Sequence, residues 1–363
     1  MRRGGAIPVT NPRRPATDGG PIFIVGCQGA GIALVGCLLD AHERIAIPRE
    51  TGFMRAARAQ RFIPFWAFGG SWYKRLGWTE SEFDAVLRDF YGALFHRHAE
   101  RQGKERWGDR TPWHVWHIDE IARLFADAVF IGVVRHPAGN AASNMTRFGH
   151  SPKRAAAHYA RTNRELVRQA ARLGERFVLL RYEDLALEPE PVLRELLDWL
   201  GEPWSDRPLL DLHVDASPVS KWSRTVDETA GAELRTRTRT LATFFGYGLE
   251  DAGRPAPFEP GGDVRRRLLG GADVEHRMAA LPGIDLGTPG SVPLIERPFD
   301  PRELAVYTVE ARDTPSALAR ASPAAPRGNG ARHAVVPTLR RIRRLVAVRA
   351  RTALRQTHIR RAR

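Results

Sequence analysis

The residues best suited to chemistry lie in Gly26-Cys27-Gln28-Gly29-Ala30-Gly31, where Gly26 and Gly31 enclose four residues between an apolar run and a helical pattern. A loop of this kind aims backbone amides at the start of a helix toward one point, and that arrangement holds phosphate. A nucleoside-triphosphatase loop would continue with a lysine and a hydroxyl residue, for the β and γ phosphates and for magnesium. Here those positions are Ile32 and Ala33. A dinucleotide-binding reading of Gly29-x-Gly31 needs a third small residue where Leu34 stands. The expectation is a phosphate-bearing ligand held by the main chain of Gly26, Cys27, Gln28, Gly29, Ala30, Gly31, Ile32 and Ala33. Cys27 and Cys37 are the only cysteines. Their apolar surroundings predict small buried thiols, with no disulfide framework or zinc cluster.

The elements that must position this loop are legible as apolar runs. Pro21–Val25, Ala128–Val134 and Arg176–Arg181 read as strands, and Ala33–Leu39, Ser81–Glu100, Val115–Phe125, Ala155–Leu173, Pro189–Leu200 and Ala230–Phe245 read as helices. Continuous apolar strands separated by helices predict an α/β fold, a parallel sheet covered on both faces. The predicted organisation is a flexible arm over 1–20, an α/β domain over 21–250, an irregular or partly disordered extension over 251–335, and a basic amphipathic helical tail over 336–363.

Across Pro21 to Leu249 the sequence resembles the bacterial sulfotransferases, and their tyrosylprotein sulfotransferase branch most of all. That family opens with a strand, a Pro-Arg-Ser-Gly-Thr-Thr loop and a helix ending in Leu-Asp-Ala-His. Here the same frame reads Cys27 to Ala33 and then Leu39-Asp40-Ala41-His42. Val134-Arg135-His136-Pro137 with Ser143 is similar to the family's site for the donor's 3′-phosphate. Arginine offers a bidentate fork there, and a serine eight residues on can reach the same oxygens. Without the resemblance, a surface ion pair for Arg135 and an ordinary helix position for Ser143 are the favoured reading. Tyr182-Glu183-Asp184-Leu185 and Leu200-Gly201 mark the family as well, with the carboxylates expected to cap a helix or pair with Arg181. Gly108-Asp109-Arg110-Thr111-Pro112 resembles a Lys-Thr-Pro element, with Arg110 as its cation.

The resemblance implies a P-loop-like sulfotransferase fold and 3′-phosphoadenosine-5′-phosphosulfate as sulfuryl donor, with no metal. It implies an acceptor bearing a hydroxyl, and Glu50 in Pro48-Arg49-Glu50-Thr51 as general base. Sulfuryl transfer asks for in-line attack, stabilised charge and a base. The loop departs from the family at Gly29, which replaces its basic residue, and at Ile32 and Ala33, which replace its hydroxyls. Losing one preorganised donor costs on the order of 3 kcal/mol in the transition state. Either another cation supplies the charge, from Arg49, Arg110 or Lys221, or the protein is a noncatalytic binding or scaffold protein of the same fold. Lys221, in Val219-Ser220-Lys221-Trp222, is similar to a family segment beside the donor and would otherwise be a surface lysine.

The formal charge of +15 is concentrated at the C-terminus, where thirteen arginines follow Asp313 without an acidic residue; residues 1–313 carry only +2. Leu339, Ile342, Leu345, Val346, Ala350, Ala353 and Leu354 share one helical face, which suits an anionic membrane surface or an acidic partner. Nucleic acid is disfavoured, because no aromatic residue interleaves the arginines from Arg340 onward. With neither an apolar leader nor an apolar run near membrane length, the sequence reads as cytoplasmic.

Overall fold

A computed structural model describes residues 19–61, 70–248 and 268–280. The apolar runs form β1 (Ile22–Gly26), β4 (Val129–Val134) and β5 (Phe177–Arg181), and shorter strands add β2 (Ile45–Ala46), β3 (Arg106–Asp109) and β6 (Leu268–Gly270). They make one six-stranded sheet in the order β2-β3-β1-β4-β5-β6. All neighbours are parallel except β6, which runs antiparallel to β5. The helices are α1 (Ile32–Asp40), α2 (Phe53–Ala59), α3 (Glu80–Arg101), α4 (Ile118–Leu124), α5 (Pro137–Phe148) and α6 (Pro152–Leu173). They continue with α7 (Tyr182–Leu187), α8 (Pro189–Leu200), α9 (Arg207–Asp211), α10 (Glu228–Phe244) and α11 (Gly271–Ala280).

Side chains alternate across each strand, so a fully covered sheet needs apolar residues at every position. Phe23, Val25, Phe130, Val134 and Leu179 pack under α3, α6 and α10. Ile22, Ile24, Val129, Ile131, Val133, Val178 and Leu180 pack against α1 and α8. Each fully buried Phe, Leu or Ile stabilises the fold by about 1.5–3 kcal/mol. The helices that shape the site begin at recognisable caps. Ser151 accepts from Arg154 N before Pro152, Asp227 accepts from Ala230 N, and His136 caps α5 ahead of Pro137.

Two differences from the sequence analysis concern the sheet. Strands β2 and β3 were not among the expected ones, being two and four residues long, and β3 carries Arg106, Gly108 and Asp109 within its run. Strand β6 and α11 lie beyond residue 250, inside the stretch expected to be irregular. Leu268 and Leu269 are too short an apolar run to stand out among neighbouring prolines and glycines. The 3₁₀ turn Pro112–His117 takes the start of the helix expected from Val115. The arm over 1–18 and the basic tail over 336–363 lie outside the described residues.

Candidate functional site

Among the described residues, the Gly26–Gly31 loop, Arg110 and Arg135 follow the C-terminal ends of β1, β3 and β4. Gly26 to Gly31 crosses from β1 to α1, and its carbonyls are captured from one side. Gln28 O accepts from Asn140 Nδ2 at 2.9 Å and Asn144 Nδ2 at 2.8 Å, both from α5. Gly29 O accepts from Arg135 Nη1 at 3.0 Å. Within the loop, Ala30 N donates to Cys27 O at 3.0 Å and closes the turn that leads into α1. The first amides of a helix have no intrahelical acceptor. Here the N-cap is Gly31, which has no side chain to cap them, and the first turn holds no acidic residue. The partial positive charge of that helix end is therefore met by no side chain of its own cap or first turn.

Two glycines are dictated by what touches them. A Cβ at Gly29 would stand 2.8 Å from Ser143 Oγ, and one at Gly31 would stand 2.4 Å from the Tyr182 ring; their φ values are +80° and +103°. The structure thus brings Gly29, Arg135 and Ser143 together, and it leaves no room for a basic side chain at position 29. Cys27 and Ile32 turn inward. Burial pushes the Cys27 thiol up to about 12, and its Sγ donates to Asn140 Oδ1 at 3.3 Å, so it is inert. Ile32 is 4% exposed and joins the core under the loop, while Ala33 is exposed.

Arg135 reaches the loop from the end of β4. Its Nη2 donates to Pro218 O at 2.9 Å, and its guanidinium lies 4.3 Å over the Tyr182 ring. Both terminal nitrogens are engaged, yet Nε is buried without a partner, as is Trp222 Nε1. A Cβ on Gly139 would lie 3.0 Å from the first and 3.6 Å from Trp222 Cδ1. Beside them opens a cavity of about 170 Å³ lined by His136, Trp222, Asp227, Glu228, Leu234 and Arg235. Trp222 forms its wall by stacking on His136 at 5.2 Å.

A second group forms where β3 ends. Arg110 lies across α1, donating from Nη1 to Ala33 O at 2.8 Å and from Nε to Pro48 O at 3.2 Å. It thereby joins the first turn of α1 to the loop that carries Glu50. That loop is fastened to β3 on both sides of Arg110. Thr51 N and Gly52 N each donate to Thr111 Oγ1 at 3.1 Å, and Thr51 Oγ1 donates to Asp109 Oδ2 at 2.5 Å. Asp109 is wholly buried and also accepts from Thr111 N at 2.8 Å, with His114 Nδ1 at 3.0 Å. Burial alone would raise its carboxyl, but the contacts with His114, Thr51 and Thr111 outweigh that and hold it below the usual range. Glu50 itself is exposed at the rim.

Of the other candidate cations, Arg49 is exposed. Lys221 is also more than half exposed and faces Asp215 at 3.8 Å, although Val219, two residues earlier, packs on Tyr182. Both carboxylates after β5 are buried, and one of them pairs with Arg181 as expected. Asp184 pairs with Arg181 at 2.6 Å. Glu183 accepts from His136 N at 3.0 Å and Tyr247 OH at 2.7 Å, and burial raises its carboxyl. Among the described residues no group of three His, Cys, Asp or Glu is disposed to hold a metal ion. None of the described helices is long and apolar enough to cross a membrane. Sequence reasoning missed Asn140, Asn144 and the Asp109–His114 pair. The four-residue spacing of the two asparagines, which puts both on one face of α5, was the available signal.

The family model described as "Sulfotransferase family" matches residues 21–206, just over half of the chain. Protein-tyrosine sulfotransferase 1 of Danio rerio is 26% identical over 195 residues, which cover 51% of this chain and 54% of that protein. Protein-tyrosine sulfotransferase 2 of Gallus gallus is 25% identical over 252 residues, covering 65% and 67%. The chain thus spans little more than half the length of the first of these relatives. Among solved structures, the sulfotransferase domain of the Synechococcus PCC 7002 olefin synthase superposes with a TM-score of 0.48 at 21% identity. That match covers 65% of this chain and 98% of that one.

Proposed function

Because the chain belongs to the sulfotransferase family, we propose that it transfers a sulfuryl group from 3′-phosphoadenosine-5′-phosphosulfate to an acceptor hydroxyl. The observation that carries this reading is the captured loop. Asn140, Asn144 and Arg135 hold the Gln28 and Gly29 carbonyls, and the first turn of α1 lacks any acidic residue that would compete with the donor's 5′ group. The buried, unpartnered Arg135 Nε and Trp222 Nε1 fit a further anionic group, the 3′-phosphate, with Ser143 within reach of the same loop.

Charge lost from position 29 is supplied by Arg110, which spans the first turn of α1 and the Glu50 loop. Lys221 suits this less well, since it faces Asp215 in solvent. In the reaction the acceptor oxygen forms a bond to sulfur as the bond from sulfur to the 5′-phosphate oxygen breaks. The acceptor proton passes to Glu50, and Arg110 stands beside the charge that develops on the leaving oxygen. A noncatalytic binding protein of the same fold is the second reading, favoured by the loop's lack of a basic or hydroxyl side chain at Gly29, Ile32 and Ala33.

Calorimetry with 3′-phosphoadenosine-5′-phosphate separates them from the start. Micromolar binding is expected, weakened by Arg135→Ala; undetectable binding by the unmutated protein would overturn the donor assignment. Labelled sulfate transfer to a panel of hydroxyl acceptors then tests catalysis. Loss of transfer in Glu50→Gln and Arg110→Ala, with nucleotide binding retained in Glu50→Gln, is the expected result, and unimpaired transfer by Glu50→Gln removes it as base.

A further inference from the structure

The turn from α5 to α6 carries a cluster that the transfer reaction does not use. His150 follows α5, and His158 lies two turns into α6; their rings meet edge-on with centroids 6.2 Å apart. His150 Nδ1 and His158 Nε2 are both buried without a hydrogen-bond partner. Arg154, His158 and Arg161 follow one another at i, i+4 and i+7 along α6 and so share one face, on which both arginines are exposed. Neither arginine forms an ion pair among the described residues. Arg161 is instead laid over the Trp116 ring at 4.6 Å. Buried polar atoms are ordinarily partnered, so two orphaned ring nitrogens beside two uncompensated guanidinium groups need an explanation. A metal ion is a poor one, because the surrounding charge repels cations.

We propose that His150, Arg154, His158 and Arg161 form a second oxyanion site, separate from the cradle around Gly29, for a phosphate, sulfate or carboxylate group. Each neutral imidazole donates its N–H and each arginine its fork, and the bound charge offsets that of the two guanidinium groups. The buried side of the same helix carries Tyr159, whose OH donates to Arg135 O at 3.0 Å, and Thr162, which contacts Cys27. The site suits either a free ion or an anionic group carried by a larger molecule.

The test is titration of the full chain with inorganic phosphate, followed by imidazole carbon–proton resonances. Saturable shifts confined to His150 and His158 are expected, with affinity at least about tenfold weaker in Arg161→Gln, the loss of one charge-assisted hydrogen bond. His158→Phe should abolish them, and Arg154→Gln, an exposed change, keeps the test open should His158→Phe fail to fold. Uniform, non-saturating shifts of all exposed histidines would overturn the site, and so would preferential uptake of zinc. A parallel titration with 3′-phosphoadenosine-5′-phosphate isolates this site from the donor cradle. If the nucleotide moves the same two imidazoles and Arg135→Ala abolishes those shifts, the anion is the donor's own and the second site is refuted. Phenyl phosphate binding more tightly than inorganic phosphate identifies a carried group, and equal affinity identifies the free ion; both require the site.

Discussion

Position 29 shows how a single side chain is excluded by its neighbour. A Cβ there meets Ser143 Oγ at 2.8 Å and Ser143 Cβ at 2.9 Å while φ is +80°. A left-handed conformation costs an L-residue about 1–2 kcal/mol before any clash is counted. Gly29→Ala should therefore lower stability by at least that amount in urea unfolding, and Ser143→Gly in the same chain should recover the steric part but not the conformational part. A second residue-scale effect concerns acid. Burial, reinforced by His150, Arg161 and Arg154, lowers His158 from 6.5 to about 4. The folded state then resists a proton that the unfolded chain accepts. The stability this represents is complete above the unfolded value and drains away as pH falls from 6.5 toward 4, by at most about 3 kcal/mol. His158→Gln should flatten that part of the pH dependence; an unchanged slope would assign it to other groups.

At the scale of elements, the geometry of the proposed chemistry depends on how the Glu50 loop is fastened to the end of β3. Asp109 holds Thr51 and the Thr111 amide, Thr111 holds the amides of residues 51 and 52, and Arg110 holds Pro48 O, so the loop that carries Glu50 is fastened to the end of β3. Asp109→Asn removes the charge from those bonds and replaces one acceptor by a donor. Turnover should fall by tenfold or more while 3′-phosphoadenosine-5′-phosphate affinity stays within about twofold, because hydrogen bonds to a charged group contribute about 1.5–3 kcal/mol and the donor loop is held by different residues. Equal loss of both would mean the substitution unfolds the edge of the sheet. This fastening was invisible in the sequence. β1, β4, β5 and the long helices are written in apolar periodicity, but β3 reads Arg106-Trp107-Gly108-Asp109, with its polar ends partnered by distant residues. Arg106 bonds Gly20 O and Leu200 O, and Asp109 bonds Thr51, contacts that no local pattern encodes. The phosphate loop was legible because strand, glycines and helix are contiguous; Arg110 was legible only as one of three candidate cations, because its reach to α1 from 77 residues away follows no local pattern.

For the whole molecule, the sheet is closed by a piece of chain that arrives late. β6 pairs with β5 through Val178, Leu179 and Leu180, and α11 packs behind it, with Arg277 Nε donating to Phe244 O at 2.7 Å. Leu268, Leu269 and Val274 are at most 4% exposed. Removing three such side chains forfeits about 1.5–3 kcal/mol each, a large share of a typical domain's 5–15 kcal/mol. It also bares the edge of β5, whose unpaired amides and carbonyls invite association with another chain. A chain ending at Leu249 contains every residue of the proposed donor and transfer sites, yet it should melt well below the full protein and aggregate. A chain ending at Glu296 keeps β6 and α11 and should melt within a few degrees of it. Equal melting temperatures for all three would show that β5 needs no partner at that edge, and the domain would then end where the apolar pattern of the sequence fades.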